Sequence, residues 1–75
     1  MSASGCVVFV GDLSVCCREA HLMHAFKDFN FVKVEIKHKP NTFKFLGFVT
    51  MSSVREAENA VRVLNGEMVL GRRMK

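Results

Sequence analysis

The stretch Lys44-Phe45-Leu46-Gly47-Phe48-Val49-Thr50-Met51 combines β-branched and aromatic residues with one glycine and alternates with a period of two. Such a pattern predicts a β-strand, whose neighbouring side chains point to opposite faces. One face, suited to a core, carries Phe45, Gly47, Val49 and Met51. The other carries Lys44, Leu46, Phe48 and Thr50. An aromatic ring beside a cation on an exposed sheet suits the stacking of an unpaired base and the binding of its phosphate.

Length and composition limit the classes of protein to which this chain can belong. The chain has 75 residues, enough for one small domain, and 49% of them are hydrophobic, which excludes a disordered tail. No apolar run is long enough to cross a bilayer and no signal-peptide pattern is present, so no membrane association is expected. The cysteines are odd in number, and Cys16 and Cys17 are adjacent. This pattern argues against a disulfide framework and predicts an intracellular location, in the nucleus or the cytoplasm.

The net charge of +4 is unevenly placed along the chain. The two predicted helices, over 16–30 and 53–65, each carry two basic and two acidic residues, so the excess lies on strands and loops. A basic excess on one face is the expected footprint of a phosphate backbone. The alternative interpretation is a basic surface that only keeps the protein soluble.

Patterns before the quoted stretch predict a strand, a helix and a second strand. Residues 6–10 are an apolar run of strand length, and residues 1–5 before them are small and polar and are expected to fray. Ser14 is the expected cap of the first helix, in which apolar residues recur at helical spacing. Residues 31–37 alternate as a half-buried strand, and a turn at Pro40 joins this strand to the quoted one as a hairpin.

Patterns after the quoted stretch predict a second helix and a last strand. Ser53 and Glu56 have the spacing of a capping box. Residues 68–70 are a short extended piece, and 72–75 begin the last strand. The order β-α-β-β-α-β predicts a single α+β domain over 1–75, a ferredoxin-like split βαβ sandwich. Such a sandwich has a four-stranded antiparallel sheet with two helices on one face.

This order of elements, with two particular strands, resembles the RNA recognition motif (RRM) family. The family's octapeptide runs basic, Gly, aromatic, Gly or Ala, aromatic, aliphatic, any, aromatic, and it falls on the quoted stretch. The companion hexapeptide of the first strand matches Val8-Phe9-Val10-Gly11-Asp12-Leu13. The runs 57–66 and 71–74 are similar to the family's second helix and fourth-strand entry. The resemblance therefore covers nearly the whole chain.

The resemblance implies an intracellular protein of the mRNA-processing kind that binds single-stranded RNA on its sheet. Phe9 and Phe48 are expected to lie side by side on adjacent strands, each stacking one base. Lys44 is expected to contact phosphate, and Leu46 to contact a base or a sugar. Further candidate phosphate contacts are Lys37, Lys39, Arg72, Arg73 and Lys75. For each lysine or arginine, the alternative is a solvated side chain.

Two residues depart from the family pattern, and one of them lowers the expected affinity. Phe45 stands where the family has Gly and is expected to pack against the helices, while Leu46 replaces an aromatic stacking residue. A base–aromatic stack is worth about 1–3 kcal/mol, so we expect weak, sequence-tolerant binding with a Kd on the order of 10 μM or more. The alternative hypothesis is an RRM that docks a protein partner through its apolar sheet face or a helix surface.

The last strand is the least complete element. The chain reaches Lys75 before such domains complete this strand, which pairs with the first. We therefore expect a truncated last strand and a partly open sheet edge beside it. Either the sequence is part of a longer chain, or molecules self-associate across that edge.

The sequence offers no sign of catalysis, a cofactor or a metal centre. It has no glycine loop to cradle a phosphate, and no histidine with a visible nucleophile and carboxylate, so an enzyme is not expected. Cys17, His21 and His24 share one stripe of the predicted first helix and are acceptable zinc ligands. Because one straight helix cannot enclose a metal ion, the expectation is an exposed helix face.

Overall fold

Antiparallel pairing organises the chain into one four-stranded sheet and a separate hairpin. The computed structural model describes all of residues 1–75. In chain order the elements are β1 (Ser2–Ser4), β2 (Val7–Leu13), α1 (Glu19–Ala25), β3 (Phe31–His38), β4 (Phe45–Met51), α2 (Val54–Leu64), β5 (Met68–Val69) and β6 (Arg72–Arg73). The sheet has the order β1-β2-β4-β3, and β5 pairs with β6. Both helices pack on one face of the sheet, which confirms the predicted ferredoxin-like α+β fold.

β4 is a central strand, and its side chains alternate as predicted. The register places Val8 of β2 opposite Val49 of β4, and Phe9 opposite Phe48. Val8, Val49 and Met51 are buried on the face that the helices cover, whereas Phe48 is half-buried on the other face. The alternation therefore separates a core face from an open face along the same strands.

The core is completed by one stripe from each helix. α1 buries Leu22 fully, with Phe26 just beyond its last residue, and α2 buries Ala57 and Ala60. The small alanines leave α2 room to lie close to the sheet. Neither helix combines the length and the apolar composition that a membrane crossing requires.

The first helix is shorter than predicted. The expected range 16–30 is wrong, because α1 spans Glu19–Ala25. His21 Nδ1 accepts a hydrogen bond of 2.8 Å from the backbone N–H of Arg18 and so caps the first turn. A capping histidine is not among the residues that signal a helix start in sequence, which explains the error.

The segment before α1 is a turn rather than a helix. Ser14 does not cap α1: its Oγ accepts a hydrogen bond of 3.1 Å from the N–H of Cys16 and stabilises the turn. Cys17 follows this turn and is only 4% exposed, in the core. The predicted exposed stripe of Cys17, His21 and His24 is therefore wrong at Cys17, which lies outside the helix.

The second helix begins at the predicted cap. Ser53 Oγ accepts a hydrogen bond of 3.1 Å from the N–H of Glu56, as the serine of a capping box does. The carboxylate of Glu56 accepts instead from the N–H of Asn30, at 3.1 Å. This second bond ties the start of α2 to the segment between α1 and β3.

Residues 1–5 do not fray, contrary to prediction. Ser2–Ser4 forms β1 and pairs with β2, with Ser2 opposite Phe9 and Ser4 opposite Val7. The terminal ammonium of Met1 donates to Asn65 Oδ1 at 3.2 Å, just after α2. Short polar residues carry no strand signal of their own, but the unpaired backbone groups of β2 provide hydrogen-bond partners for them.

Both ends of the chain share the outer edge of β2. β1 covers the edge at residues 7–9, and the carbonyl of Lys75 accepts a hydrogen bond of 2.7 Å from the N–H of Gly11. The edge expected to be open is therefore paired, and β1 is the outermost strand. The residues predicted to begin the last strand pair in a hairpin, with Leu70 and Gly71 at positive φ in its two-residue turn.

Gly47 is required by the packing beneath β4. A Cβ on this residue would lie 2.7 Å from Leu22 Cδ1 and 3.1 Å from Leu13 Cδ1. Leu22 is fully buried, so its side chain would have to shift within the core to admit the added methyl group. We predict that Gly47→Ala lowers the free energy of unfolding by about 1–3 kcal/mol, measured by urea denaturation.

Gly11→Ala is the matched control, because a Cβ there would meet only the carbonyl oxygen of Lys75, at 3.6 Å. It should change the unfolding free energy by less than about 0.5 kcal/mol. Equal destabilisation by both variants would contradict the packing explanation.

Candidate nucleic-acid interface

Two phenylalanines lie side by side on the open face of the sheet. Phe9 of β2 is opposite Phe48 of β4, with ring centroids 5.4 Å apart and ring planes at 86°. Phe9 is 36% exposed although it is a large apolar residue. Because the planes are nearly perpendicular, a base lying flat on one ring meets the edge of the other. The pairing of β2 with β4 therefore brings together the two aromatic residues that the sequence predicted as partners.

A shallow groove runs beside this pair. It encloses about 310 Å³, and its lining residues are Met1, Ser2, Phe9, Val10, Gly11, Leu46, Gly47, Phe48 and Lys75. Four of the predicted site residues are among them, namely Phe9, Leu46, Phe48 and Lys75. We call Phe9, Leu46 and Phe48 the platform.

Five lining residues were not predicted as site residues. Three of them belong to the central strands, namely Val10, Gly11 and Gly47. The other two, Met1 and Ser2, were missed because the N-terminus was expected to fray. No sequence signal would have found them, since it is the pairing of β1 with β2 that brings them to Phe9. The groove therefore combines residues from both ends of the chain with the two central strands.

The β3 side of the platform carries a basic side chain over an aromatic ring. Lys37 is opposite Leu46, and its Nζ lies 5.7 Å from the centroid of Phe48. At this distance an ammonium is attracted to the face of the ring. Lys37, a candidate phosphate contact, therefore lies beside the platform.

Lys37 is not a free cation, because Glu35 lies on the same face, opposite Phe48. The Glu35 carboxylate is 3.1 Å from Lys33 Nζ and 3.9 Å from Lys37 Nζ. The hydrogen bond and the charge of Lys33 lower the pKa of Glu35, and Lys37 adds to the effect. One carboxylate thus partly neutralises two lysines at this edge.

Asp12 has the same role near the other edge. Its carboxylate lies 3.1 Å from Lys75 Nζ and 3.4 Å from Arg72 Nη2. The hydrogen bond and the charge of Lys75 lower the pKa of Asp12, and the charges of Arg72 and Lys44 lower it further. Two candidate phosphate contacts are therefore already bound to a carboxylate.

The remaining predicted cations are spread over the molecule. Lys39 and Lys44 flank the loop between β3 and β4, which is closed by a 2.9 Å hydrogen bond from the N–H of Lys39 to the carbonyl of Lys44. Arg73 donates to the carbonyl of Gly66 at 3.2 Å, near the hairpin. The structure thus brings Lys37 and Lys75 to the platform, whereas Arg73 is engaged elsewhere.

Two further features bear on function. Phe43, in the loop after β3, is 92% exposed, and sequence reasoning did not single it out. A second cleft of about 310 Å³ lies between α1 and the hairpin, lined by Ala20, His21, His24, Ala25, Met68, Val69 and Leu70. No three histidine, cysteine, aspartate or glutamate side chains converge in a way that could hold a metal ion.

Comparisons with known proteins point to one family. A profile of the RNA recognition motif matches residues 8–75. The second RRM domain of the yeast poly(U)-binding protein is 31% identical, with a TM-score of 0.79, over 96% of this chain and 89% of that one. No curated protein matches the chain in a sequence comparison.

Two of the similar solved structures contain RNA. The MEC-8 C-terminal RRM domain bound to AGCACA is 26% identical, with a TM-score of 0.72, over 97% of this chain and 90% of that one. The Sxl-lethal protein/RNA complex is 24% identical, with a TM-score of 0.80, over 96% of this chain and 45% of that one. At 24% identity the second likeness shows the fold alone.

The ion pairs of Asp12 predict an acid-dependent loss of stability. Because the folded state lowers the pKa of Asp12, this stabilisation is complete above the unfolded pKa, about 3.9 for Asp, and is lost as the pH falls through the lower folded value. Between pH 5 and pH 2, Asp12→Asn should therefore lose less stability than the wild type. Urea midpoints across this range measure the difference.

Asp28→Asn is the matched control, since Asp28 is exposed and forms no ion pair. Its stability should follow the wild-type pH profile. A D12N profile that coincides with that of the wild type would show that the Asp12 ion pairs do not contribute.

Proposed function

The chain belongs to the RNA recognition motif family, and we propose that its open sheet face binds single-stranded RNA by stacking bases on Phe9 and Phe48. The observation that carries this proposal is the pair of adjacent, partly exposed rings on a face rimmed by lysine and arginine. RRM domains are RNA-binding modules rather than enzymes. An intracellular location, nuclear or cytoplasmic, is part of the proposal.

Similar proteins support a single-stranded RNA ligand. One relative is named as a poly(U)-binding protein, and another is described as bound to AGCACA. Stacking suits such ligands because each base has an aromatic face, whatever its identity. We infer that this chain tolerates many sequences, since the platform has two rings and few polar groups to read base edges.

The affinity of the proposed site is low for physical reasons. Each stack is worth about 1–3 kcal/mol, and a few phosphate contacts bring the total to roughly −7 kcal/mol, or a Kd on the order of 10 μM. Lys33, Lys37, Arg72 and Lys75 are also paired with carboxylates, so their net attraction for phosphate is reduced. The remaining positive charge makes binding sensitive to salt.

The second candidate function is docking of a protein partner. It is favoured by the apolar cleft between α1 and the hairpin, where Met68 and Leu70 are both exposed. Self-association across the sheet edge is a related possibility, but it would have to use β1 or displace it, because β1 covers the edge at residues 7–9. The absence of any amide shift at millimolar RNA would favour protein docking over RNA binding.

Phe48→Ala should weaken RNA binding at least about 10-fold, because it removes one stacking ring from the centre of the sheet. The measurement is an NMR titration of the ¹⁵N-labelled domain with short randomised RNA at low and moderate salt. Amide shifts around Phe9, Phe48 and Lys44 report binding at the platform.

Phe43→Ala is the matched control for this variant. Phe43 is a fully exposed phenylalanine in a loop, outside the strands that carry the platform. An equal loss in F43A and F48A, or no amide shift at millimolar RNA, would contradict the proposed platform. Retained ¹H–¹⁵N spectra show that each variant is folded.

Leu46→Phe should tighten RNA binding by about 5- to 10-fold, because it adds a third ring beside Phe48. Leu46 lines the groove and is half-buried on the open face, so a larger side chain there does not enter the core. Fluorescence anisotropy with a labelled oligonucleotide measures the change.

Leu46→Met keeps the side chain apolar and flexible without adding a ring. It should leave the affinity within about 2-fold of the wild type. A gain in L46M equal to that in L46F would mean that apolar contact, not stacking, determines the affinity at this position.

A further inference from the structure

We propose that Asp12 competes with RNA phosphates for Arg72 and Lys75 and thereby holds the RNA affinity of this domain down. The inference rests on the proposed function, since it concerns the same sheet face. It assigns to Asp12 the role of an internal anion that the RNA backbone must displace.

The geometry shows both cations engaged by one residue. The two carboxylate oxygens of Asp12 lie 3.4 Å from Arg72 Nη2 and 3.1 Å from Lys75 Nζ. Arg72 also donates from Nε to the backbone carbonyl of Asp12, at 3.0 Å. The three side chains therefore form one cluster with a net charge of about +1. Without the carboxylate, the two cations would carry a net charge of about +2.

The cluster lies beside the platform. Gly11 and Lys75 line the groove together with Phe9, and Asp12 follows Gly11 directly in the strand. A base stacked on Phe9 would lie in this groove beside Lys75, so Lys75 is placed to meet its phosphate, and Arg72 shares the carboxylate partner of Lys75. The carboxylate is placed to repel the same phosphate.

The cations are free to turn toward a ligand, whereas the carboxylate is more enclosed. The side chains of Arg72 and Lys75 are 53% and 71% exposed, and that of Asp12 is 22% exposed. An ion pair between exposed side chains contributes little to stability, so a phosphate can replace the carboxylate as partner. Competition between Asp12 and RNA is therefore close to balanced, and removing Asp12 favours RNA.

The backbone conformation at Asp12 allows the charge to be removed without a change in the fold of this segment. Asp12 has φ of +61°, in the left-handed region where asparagine is well tolerated. Asp12→Asn has the same shape and keeps this backbone, but it carries no charge. Asp12→Gly also removes the carboxylate and suits positive φ, so it serves as a second variant.

The experiment measures the affinity of the 75-residue chain for an eight-nucleotide oligo(U) by anisotropy, from 50 to 300 mM salt. D12N and D12G should bind about 3- to 10-fold more tightly than the wild type at 50 mM salt. With two cations released, the slope of log K against log salt should become more negative by up to about 1.4. Asp28→Asn, which removes an unpaired carboxylate elsewhere, should change the affinity by less than about 2-fold.

A double-mutant cycle separates competition from a general charge effect. In the background Arg72→Gln with Lys75→Gln, adding D12N should give no more than about a quarter of the logarithmic gain seen in the wild type. If the full gain persists there, Asp12 acts only through net charge and the inference is overturned.

Two further outcomes separate this inference from the proposed function. If D12N binds no more tightly than the wild type while F48A still weakens binding at least about 10-fold, the proposed platform is supported and the competition by Asp12 is overturned. If neither the wild type nor D12N binds oligo(U) or randomised RNA, both proposals are overturned.

Discussion

The register of β2 on β4 is the constraint on which both surfaces of the sheet depend. It places Val8 opposite Val49 on the core face and Phe9 opposite Phe48 on the open face. Because side chains alternate, a slip of one residue would move the phenylalanines into the core and the valines to the surface. Gly47 lies on the core face of β4, where a Cβ would come within 2.7 Å of the buried Leu22 side chain. The packing that stabilises the core therefore also fixes the geometry of the platform.

Charge at the sheet face is balanced locally rather than left free. The net charge of +4 suggests an open basic surface, but Glu35 and Asp12 each hold two of its cations. Both carboxylates have a lowered pKa because their partners favour the ionised form. A phosphate backbone approaching this face meets ion pairs at Glu35 and Asp12, whereas Lys39 and Lys44 form no ion pair. This arrangement is consistent with the weak, salt-sensitive binding that we propose for the platform.

Most of the fold was predictable from local patterns, and the errors have a common cause. The period of two in β4 and the capping serine of α2 are local signals, and both predictions are confirmed. The start of α1 was missed because His21 acts as a cap, and β1 was missed because three small residues become a strand only when β2 provides the pairing groups. The candidate site shows the same division between local signals and long-range contacts. The platform residues were identified from alternation, whereas the pairing of Arg72 and Lys75 with Asp12 depends on contacts across about 60 residues of chain.

The sequence by itself determined the order of the elements, the core face of the central strands and the aromatic residues of the open face. These properties follow from side-chain period and from steric preferences that act over a few residues. The tertiary structure alone decided which strand completes the sheet, which residues line the groove beside Phe9, and which cations remain free. Such properties depend on unpaired backbone groups and charges that meet only after the chain has folded, and no local pattern encodes them.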